Sequence, residues 1–456
     1  MNGRELKRLV AVVGAIVMLI GIGTIVPMAS AQEKIVFWHK TGPEGYMNSL
    51  IQAVERFNQA HPEIKAVIEF PGSGPKYQEK ILLAVYAGIA PDVLQIPPLV
   101  RYAMERSGEK ILAPIDELSA NYETELELDD MRPEVIEHNS YYGRLMGVPF
   151  FIQLEGTGLV YNKDLFRKAG LNPENPPETI EELVEYAKVL TKDTDGDGTP
   201  DEWGYALPFG NRNWMIVMFL SELWRRGAEV YNEDFSEVLV NRPEGVKALQ
   251  FWVDCYHKYK ITDPYAPDLA WMTDLYEYFG SGKVGMSPCS ADISGYSFNF
   301  DWAVSIYPDV YAGLKVEQFN THALVTFEQC LKKSAAYEFI RFIMSPEEHP
   351  KVMVGVGQLP VRASTLNVPI WKEFVQKAPS MQVFLDLLVD PRYRLHSRPK
   401  TPIHNDVRKI LVEAIQLAVY EKASVKDALD EAAQKIKETM VKAKQEGLWK
   451  EPTWIK

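Results

Sequence analysis

The stretch TKDTDGDGTPDEWGY, beginning at Thr191, sets Asp193, Asp195, Asp197 and Asp201 around Gly196 and Gly198. Clustered carboxylates repel one another unless a cation neutralises them, and hard oxygen donors at this spacing suit calcium. Counted from Asp193, the aspartates fall at positions 1, 3, 5 and 9 of a calcium loop, Gly198 at position 6 permits the sharp turn, and Thr199 offers its carbonyl at position 7. Position 12 is Gly204, where an EF-hand carries a bidentate glutamate, so the loop is not a sensor of that type. Glu202 or a carboxylate from elsewhere would have to complete the shell. The expectation is a structural Ca2+ held by Asp193, Asp195, Asp197, Thr199 and Asp201, bracing a surface connection; the alternative is a solvated Asp-Gly turn. Neither is a catalytic cofactor site.

The remaining reactive groups point away from catalysis. The eight histidines form no HExxH, no GxSxG occurs, and GSGK at Gly280 to Lys283 lacks the spacing of a phosphate-binding loop. The paired carboxylates of a glycosidase stay open, because such pairs are separated along the chain. Cys255, Cys289 and Cys330 contain no CxxC, which excludes a disulfide framework or a cysteine zinc knuckle and leaves one bridge, such as Cys255 with Cys289, undecided. With 46% hydrophobic and 24% charged residues the composition is that of a globular protein, and 456 residues exceed one ordinary core, which suggests two lobes. A formal net charge of −13 makes nucleic acid a poor partner.

Arg4, Lys7 and Arg8 precede an uncharged apolar run from Leu9 to Val26, and MASAQE follows with small residues at Ala29 and Ala31. This is the pattern of a secretory signal over residues 1–31, cut before Gln32, so the protein is expected to be exported to a periplasmic or extracellular location. The run is also long enough to be kept as a membrane anchor.

Three strands are predicted at KIVFWH, KAVIEF and PDVLQI. Between them lie two helices, YMNSLIQAVERFNQAHPEIK, with Leu50, Ile51, Val54 and Phe57 on one face, and YQEKILLAVYAG. This alternation predicts an α/β fold with a parallel sheet. Ligands in such sheets sit beyond the carboxyl ends of the strands, where WHKTGPEGY, PGSGPKY and QIPP lie. Trp38 would offer a stacking face, His39 a hydrogen-bonding neighbour, Tyr77 a hydroxyl and Gln95 an amide. The structural alternatives are a strand-core tryptophan, a tyrosine at a helix start and a glutamine closing a turn. Further along, RLMGVPFFIQL is an extended apolar run, Pro177 and Thr179 open a helix, and Ser424 and Asp427 are spaced as a capping box before the last helix.

Several ordered pieces resemble the extracellular solute-binding proteins of ABC importers, in the carbohydrate group that includes maltose- and glycerol-phosphate-binding proteins. They are FWH before VERFNQAHPEIK; AGIAPDVLQ; LAPIDEL; GVPF before GLVYNKDLFRKAGLNPENPPETIEELVEYAKVLTK; FGSGKVGM; and AAYEFIRFIMSPEEHPKVMVGVGQLPVRAS. The resemblance implies a two-lobed periplasmic-binding-protein fold of type II, each lobe a central sheet flanked by helices. Hinge strands would lie near Gly147 to Gln153, Asp301 to Ile306 and Gly357 to Ala363. The first lobe would then hold residues 32–149 and 306–358, the second 150–305 and 359–456.

The same resemblance adds Gln153 and Glu155 beyond the hinge run, Trp214 against the ligand, and Ser290 and Asp292 in a cleft-edge loop. Arg398, in HSRPKTP, would serve an anionic ligand. Two departures limit the transfer of substrate: QFNTHALV around Asn320 replaces a Gly-Gly common in sugar binders, and PCSADISGY after GKVGM lacks their Gly-x-Trp. Glycerol-phosphate binders carry a glutamate near the position of Pro98, so a saccharide is the preferred ligand. The implied function is capture of a mono- or oligosaccharide by hinge closure and delivery to permease subunits, with the protein a monomer. Alternatives are a non-sugar solute, a receptor for a macromolecule, or a glycosidase.

Overall fold

Alternating burial fixes β1 (Glu33–Trp38): Ile35 and Phe37 point into the core, while Glu33 and Lys34 face solvent. The helix Glu44–Ala60 covers that buried face with Tyr46, Leu50, Val54 and Phe57. Ile51, expected on the same face, is instead exposed, because the covered stripe follows the i, i+4, i+7 row through Leu50, Val54 and Phe57. Next come β2 (Ile64–Glu69), the helix Gly74–Tyr86 and β3 (Val93–Ile96), and β1 pairs in parallel with both strands as the alternation predicts. The computed structural model describes residues 32–105, 109–120, 126–209, 214–264, 272–308, 315–398 and 400–449. The expected signal over 1–31 lies outside these residues.

A small hairpin of β4 (Ser140–Tyr141) and β5 (Arg144–Leu145) leads into β6 (Val148–Leu154), followed by β7 (Gly158–Asn162), β8 (Trp203–Tyr205), β9 (Val284–Cys289) and β10 (Trp302–Ile306). The last strands are β11 (Lys315–Val325), β12 (Leu359–Pro360) and β13 (Tyr393–His396). They form a seven-stranded sheet ordered β12-β6-β11-β3-β1-β2, with β13 alongside β11, and a four-stranded sheet ordered β10-β7-β9-β8. The larger sheet is mixed, since β11 runs antiparallel to both β3 and β6.

The chain passes between the sheets in places that sheet membership defines. All of β6 stays in the larger sheet, so a lobe boundary at 149/150 would cut this strand, and the passage to β7 falls over residues 155–157. β10 belongs wholly to the smaller sheet, and the return is complete at β11. β12 pairs with β6 in the larger sheet.

Helix ends follow their local chemistry. Thr179 accepts from the Glu182 amide at 3.2 Å and the Glu182 carboxylate reaches back, a full capping box. Ser424 caps the Val425–Gln445 helix by accepting from the Asp427 amide at 3.1 Å. All three cysteines are free, so no Cys255–Cys289 bridge forms. Among the described residues no helix is long and apolar enough to cross a membrane.

Candidate functional site

At the carboxyl end of β1 the backbone alternation decides which side chains reach the cleft. His39 continues the inward parity of Ile35 and Phe37 and is fully buried, with the Phe37, Tyr46 and Phe150 rings around it at 5.8, 5.3 and 5.8 Å between centroids. Burial lowers its pKa to about 3, so it is a neutral core histidine and not a ligand contact. Tyr77 is likewise corrected: it is buried in the satellite core with Ile81 and Val85 and donates its hydroxyl to the Gln95 carbonyl at 2.9 Å. Gln95 is fully buried too, its side-chain amide meeting His322, which stacks on Phe151 at 4.7 Å. Trp38 has the opposite parity and stays half-buried, its indole N–H donating to Glu69 at 2.7 Å with the Lys80 ammonium 5.4 Å from the ring centroid.

Lys40, absent from the sequence-derived set, is the charged group this strand end delivers. Its ammonium lies 5.7 Å from the Tyr46 ring centroid and 5.8 Å from that of Phe151. Burial pushes its pKa down, and the charge of Asp292 pushes it back up. The signal was present in the sequence: Lys40 shares the parity of Trp38, the half-exposed side of the strand.

The second wall comes from the smaller sheet. Ser290, directly after β9, is fully buried; it accepts the Gly156 amide at 3.1 Å, and its own amide donates to the Tyr276 hydroxyl at 2.9 Å. Ser290 therefore fastens the crossing and spends its hydroxyl there. Asp292, in the following turn of helix Ala291–Gly295, accepts the Tyr276 hydroxyl at 2.9 Å. Burial raises its pKa, against the Tyr276 bond and the charge of Lys40. Trp214 opens the helix Trp214–Arg225, almost fully buried, and its indole N–H has no partner among the described residues.

Between the walls runs a buried polar network. Glu155 pairs with Arg398 and also accepts from the Gln318 amide at 2.6 Å, and Gln318 in turn accepts the Ser221 hydroxyl at 3.0 Å. Arg225 pairs with Glu317 at 2.7 Å, donates to the Gly156 carbonyl at 2.8 Å and packs 4.2 Å from the Tyr307 ring centroid. Gln153 lies half-buried on β6, its backbone paired with Asn320. The structure thus brings Glu155 and Arg398 together as partners of each other, sets Asp292 and Trp214 on the second lobe's side, and withdraws His39, Tyr77 and Ser290 into structural roles.

In the aspartate loop, Asp193, Asp195 and Asp197 offer carboxylate oxygens within 4.8 Å of one another, all exposed. Asp193 also accepts the amides of Gly198 at 2.8 Å and Gly196 at 2.6 Å, which hold its carboxyl below the ordinary range. Asp201 stands outside this trio: its carboxylate accepts the amide of Thr194 at 2.8 Å and its hydroxyl at 2.7 Å.

Two helix-flanked sheets, linked by the passage at residues 155–157 and the return between β10 and β11, are the architecture of type II periplasmic binding proteins. Residues 41–350 match the family of bacterial extracellular solute-binding proteins, and the chain belongs to that family, which implies export. It is 24% identical over 427 residues to the sn-glycerol-3-phosphate-binding periplasmic protein UgpB of Pectobacterium atrosepticum, covering 89% of this chain and 91% of the relative. Maltose-bound MalE3 of T. maritima superposes with a TM-score of 0.71 at 23% identity, covering 89% of this chain and 99% of that one. UgpB of Mycobacterium tuberculosis in complex with glycerophosphocholine gives 0.73 at 17% identity, covering 90% and 99%.

Proposed function

We propose that the protein captures an uncharged mono- or oligosaccharide between its lobes and delivers it to the permease of an ABC importer. The observation that carries this reading is the charge balance of the cleft: Lys40 and Arg398 face Glu155 and Asp292, while burial keeps His39 and His322 neutral. Hydroxyls both donate and accept, so they suit walls of mixed sign, and an aromatic face with a spare N–H, as at Trp214, suits a sugar ring. The structural likeness to maltose-bound MalE3 supports the same class.

Glycerol phosphate or another non-sugar solute is the second reading, favoured by the curated UgpB relatives. Against it, Arg398 is committed to Glu155, and a phosphate would meet two carboxylates nearby. The protein acts as a binder without turnover: Glu155 is held by Arg398 and Gln318 in an internal network.

The mechanism is hinge closure over residues 155–157 and the return between β10 and β11, with the permease recognising the closed form. Residues 1–31 act as a cleaved signal, the protein works as a monomer, and no nucleic acid takes part. The aspartate loop binds Ca2+ through Asp193, Asp195 and Asp197, with the Thr199 carbonyl, as a brace; Asp201 acts by ordering the loop through Thr194.

Titration calorimetry against mono- and oligosaccharides plus glycerol phosphate, with product analysis by mass spectrometry, tests this reading. Binding of one saccharide class with no product is expected. Binding of glycerol phosphate alone, or appearance of a cleaved sugar, would overturn it.

A further inference from the structure

Behind the crossing at residues 155–157 lies an internal space with room for the centre of one water molecule, about 10 Å3, and every residue that lines it is buried. Its polar lining is Glu222 and Arg225 on the helix Trp214–Arg225, Trp252 on the helix Pro243–His257, and the hydroxyls of Tyr205 and Tyr307, 2.6 Å apart. Three of these side chains carry a buried polar atom with no partner among the described residues: the Trp252 indole N–H, the Arg225 Nε–H and Glu222 Oε1. Other atoms of the same groups are engaged. Glu222 Oε2 pairs with Arg226, and Arg225 Nη2 serves Glu317 at 2.7 Å and the Gly156 carbonyl at 2.8 Å. Of the two tyrosine hydroxyl protons one is used between the pair, which leaves the other to donate. Unpaired polar atoms are destabilising in an interior, and folded proteins resolve them with ordered water where a polar space admits one.

We propose that this space is a binding site for one buried water molecule, which accepts from the Trp252 indole N–H and donates to Glu222 Oε1. The charge of the walls selects the occupant. Glu222 is matched by Arg226 and Arg225 by Glu317, so the surroundings are neutral overall. An anion would suit the N–H donors but be repelled by Glu222, and a cation would suit Glu222 but be repelled by Arg225. A neutral molecule that both donates and accepts satisfies the two kinds of wall, and the space admits nothing larger than water. None of the residues assigned to solute capture lines it, so the site stands apart from the saccharide reading. Its consequence is mechanical. The Arg225 guanidinium holds the Gly156 carbonyl, and Met218 packs so closely on Gly156 that a Cβ there would lie 2.0 Å from the methionine Cε. Both side chains belong to the helix Trp214–Arg225, and the water ties that helix to the helix Pro243–His257. The second-lobe end of the crossing is thereby fixed to two helices.

The test is a crystal structure of the purified protein at a resolution that shows ordered waters, with crystals soaked in rubidium bromide and read for anomalous scattering. One density peak is expected within hydrogen-bond distance, about 2.7–3.2 Å, of both Trp252 Nε1 and Glu222 Oε1, with no anomalous signal. A bromide or rubidium signal at that point would overturn the proposal, as would a Trp252 indole that donates directly to Glu222 with no density between them. Trp252→Phe removes the donor and keeps an aromatic ring; it is expected to lose the peak and to melt a few degrees lower. In solution, the Trp252 indole N–H of wild type should show a nuclear Overhauser contact with long-lived water, assigned by its absence from the spectrum of Trp252→Phe. The wild-type crystal structure decides the matter even where the variant fails to fold.

Discussion

Arg225 and Glu317 lie 2.7 Å apart at the crossing between the lobes, and the guanidinium also donates to the Gly156 carbonyl and packs on Tyr307. Lys40 stands at the end of β1 and Asp292 in the turn after β9, and among the described residues neither is paired in an ion pair. Both couples are opposite in sign, yet Arg225 and Glu317 are buried and in contact, whereas Lys40 and Asp292 are half-buried and not paired with each other. A buried pair matched by hydrogen bonds maintains geometry, and losing one partner strands the other. Half-buried groups that are not paired with each other can still take a solute group as partner, which is the role the proposed function gives them. The same contrast separates Glu155, engaged by Arg398 and Gln318, from Asp292, which accepts a tyrosine hydroxyl and has no cation paired with it among the described residues.

Breaking the complete pair should have the largest effect. Arg225→Ala removes the buried ion pair with Glu317 together with the bond to the Gly156 carbonyl and is expected to cost roughly 3–5 kcal/mol, read by urea unfolding, whereas Lys40→Met should cost less than about 1 kcal/mol. Equal losses for the two variants would erase the distinction drawn here. Trp214→Ala should next lower saccharide affinity by about thirtyfold or more in calorimetry, in keeping with removal of a buried aromatic anchor, with a smaller loss for Trp214→Phe.

A pH series sharpens the contrast from the neutral side. Burial lowers His39 to about 3 and His349 to about 4, so their folded-state pKa values lie below the unfolded one of about 6.5. The unfolded state then binds more protons in this window, and the stability from keeping these rings neutral is complete above pH ~6.5 and is lost progressively as pH falls toward ~4 and ~3. Chemical unfolding between pH 7 and 4 should show this slope, and His39→Gln should flatten it; an unchanged slope would mean His39 is not held neutral. The smallest effect is expected at the aspartate loop, where calcium should raise Tm by a few degrees at most and Asp193→Asn should abolish the response.

Much of the fold was legible because periodicity reports burial. The apolar alternation through Ile35 and Phe37, and the row Leu50, Val54, Phe57, gave the first β-α-β unit directly. The same rules, carried one residue further, would have placed His39 on the core side with Phe37 and Lys40 on the cleft side. Tyr77 belongs to the row Tyr77, Ile81, Val85, a core stripe in its helix, although its position beyond a strand end suggested a ligand contact. Nothing local could reveal that Glu155 is engaged by Arg398, because the partners are 243 residues apart and meet only when the lobes do. Asp201 was read from spacing as a ligand, but the Thr194 amide and hydroxyl compete for its carboxylate, and side-chain-to-backbone competition of that kind is invisible to a position count.

Small-angle X-ray scattering of the purified protein, with and without a saturating saccharide that calorimetry shows to bind, tests the central claim most directly. A neutral sugar that bridges the two walls must bring the lobes together, so the radius of gyration is predicted to fall on binding in wild type and to fall less in Lys40→Met at equal occupancy. A bound saccharide that leaves the scattering curve of wild type unchanged would contradict the account.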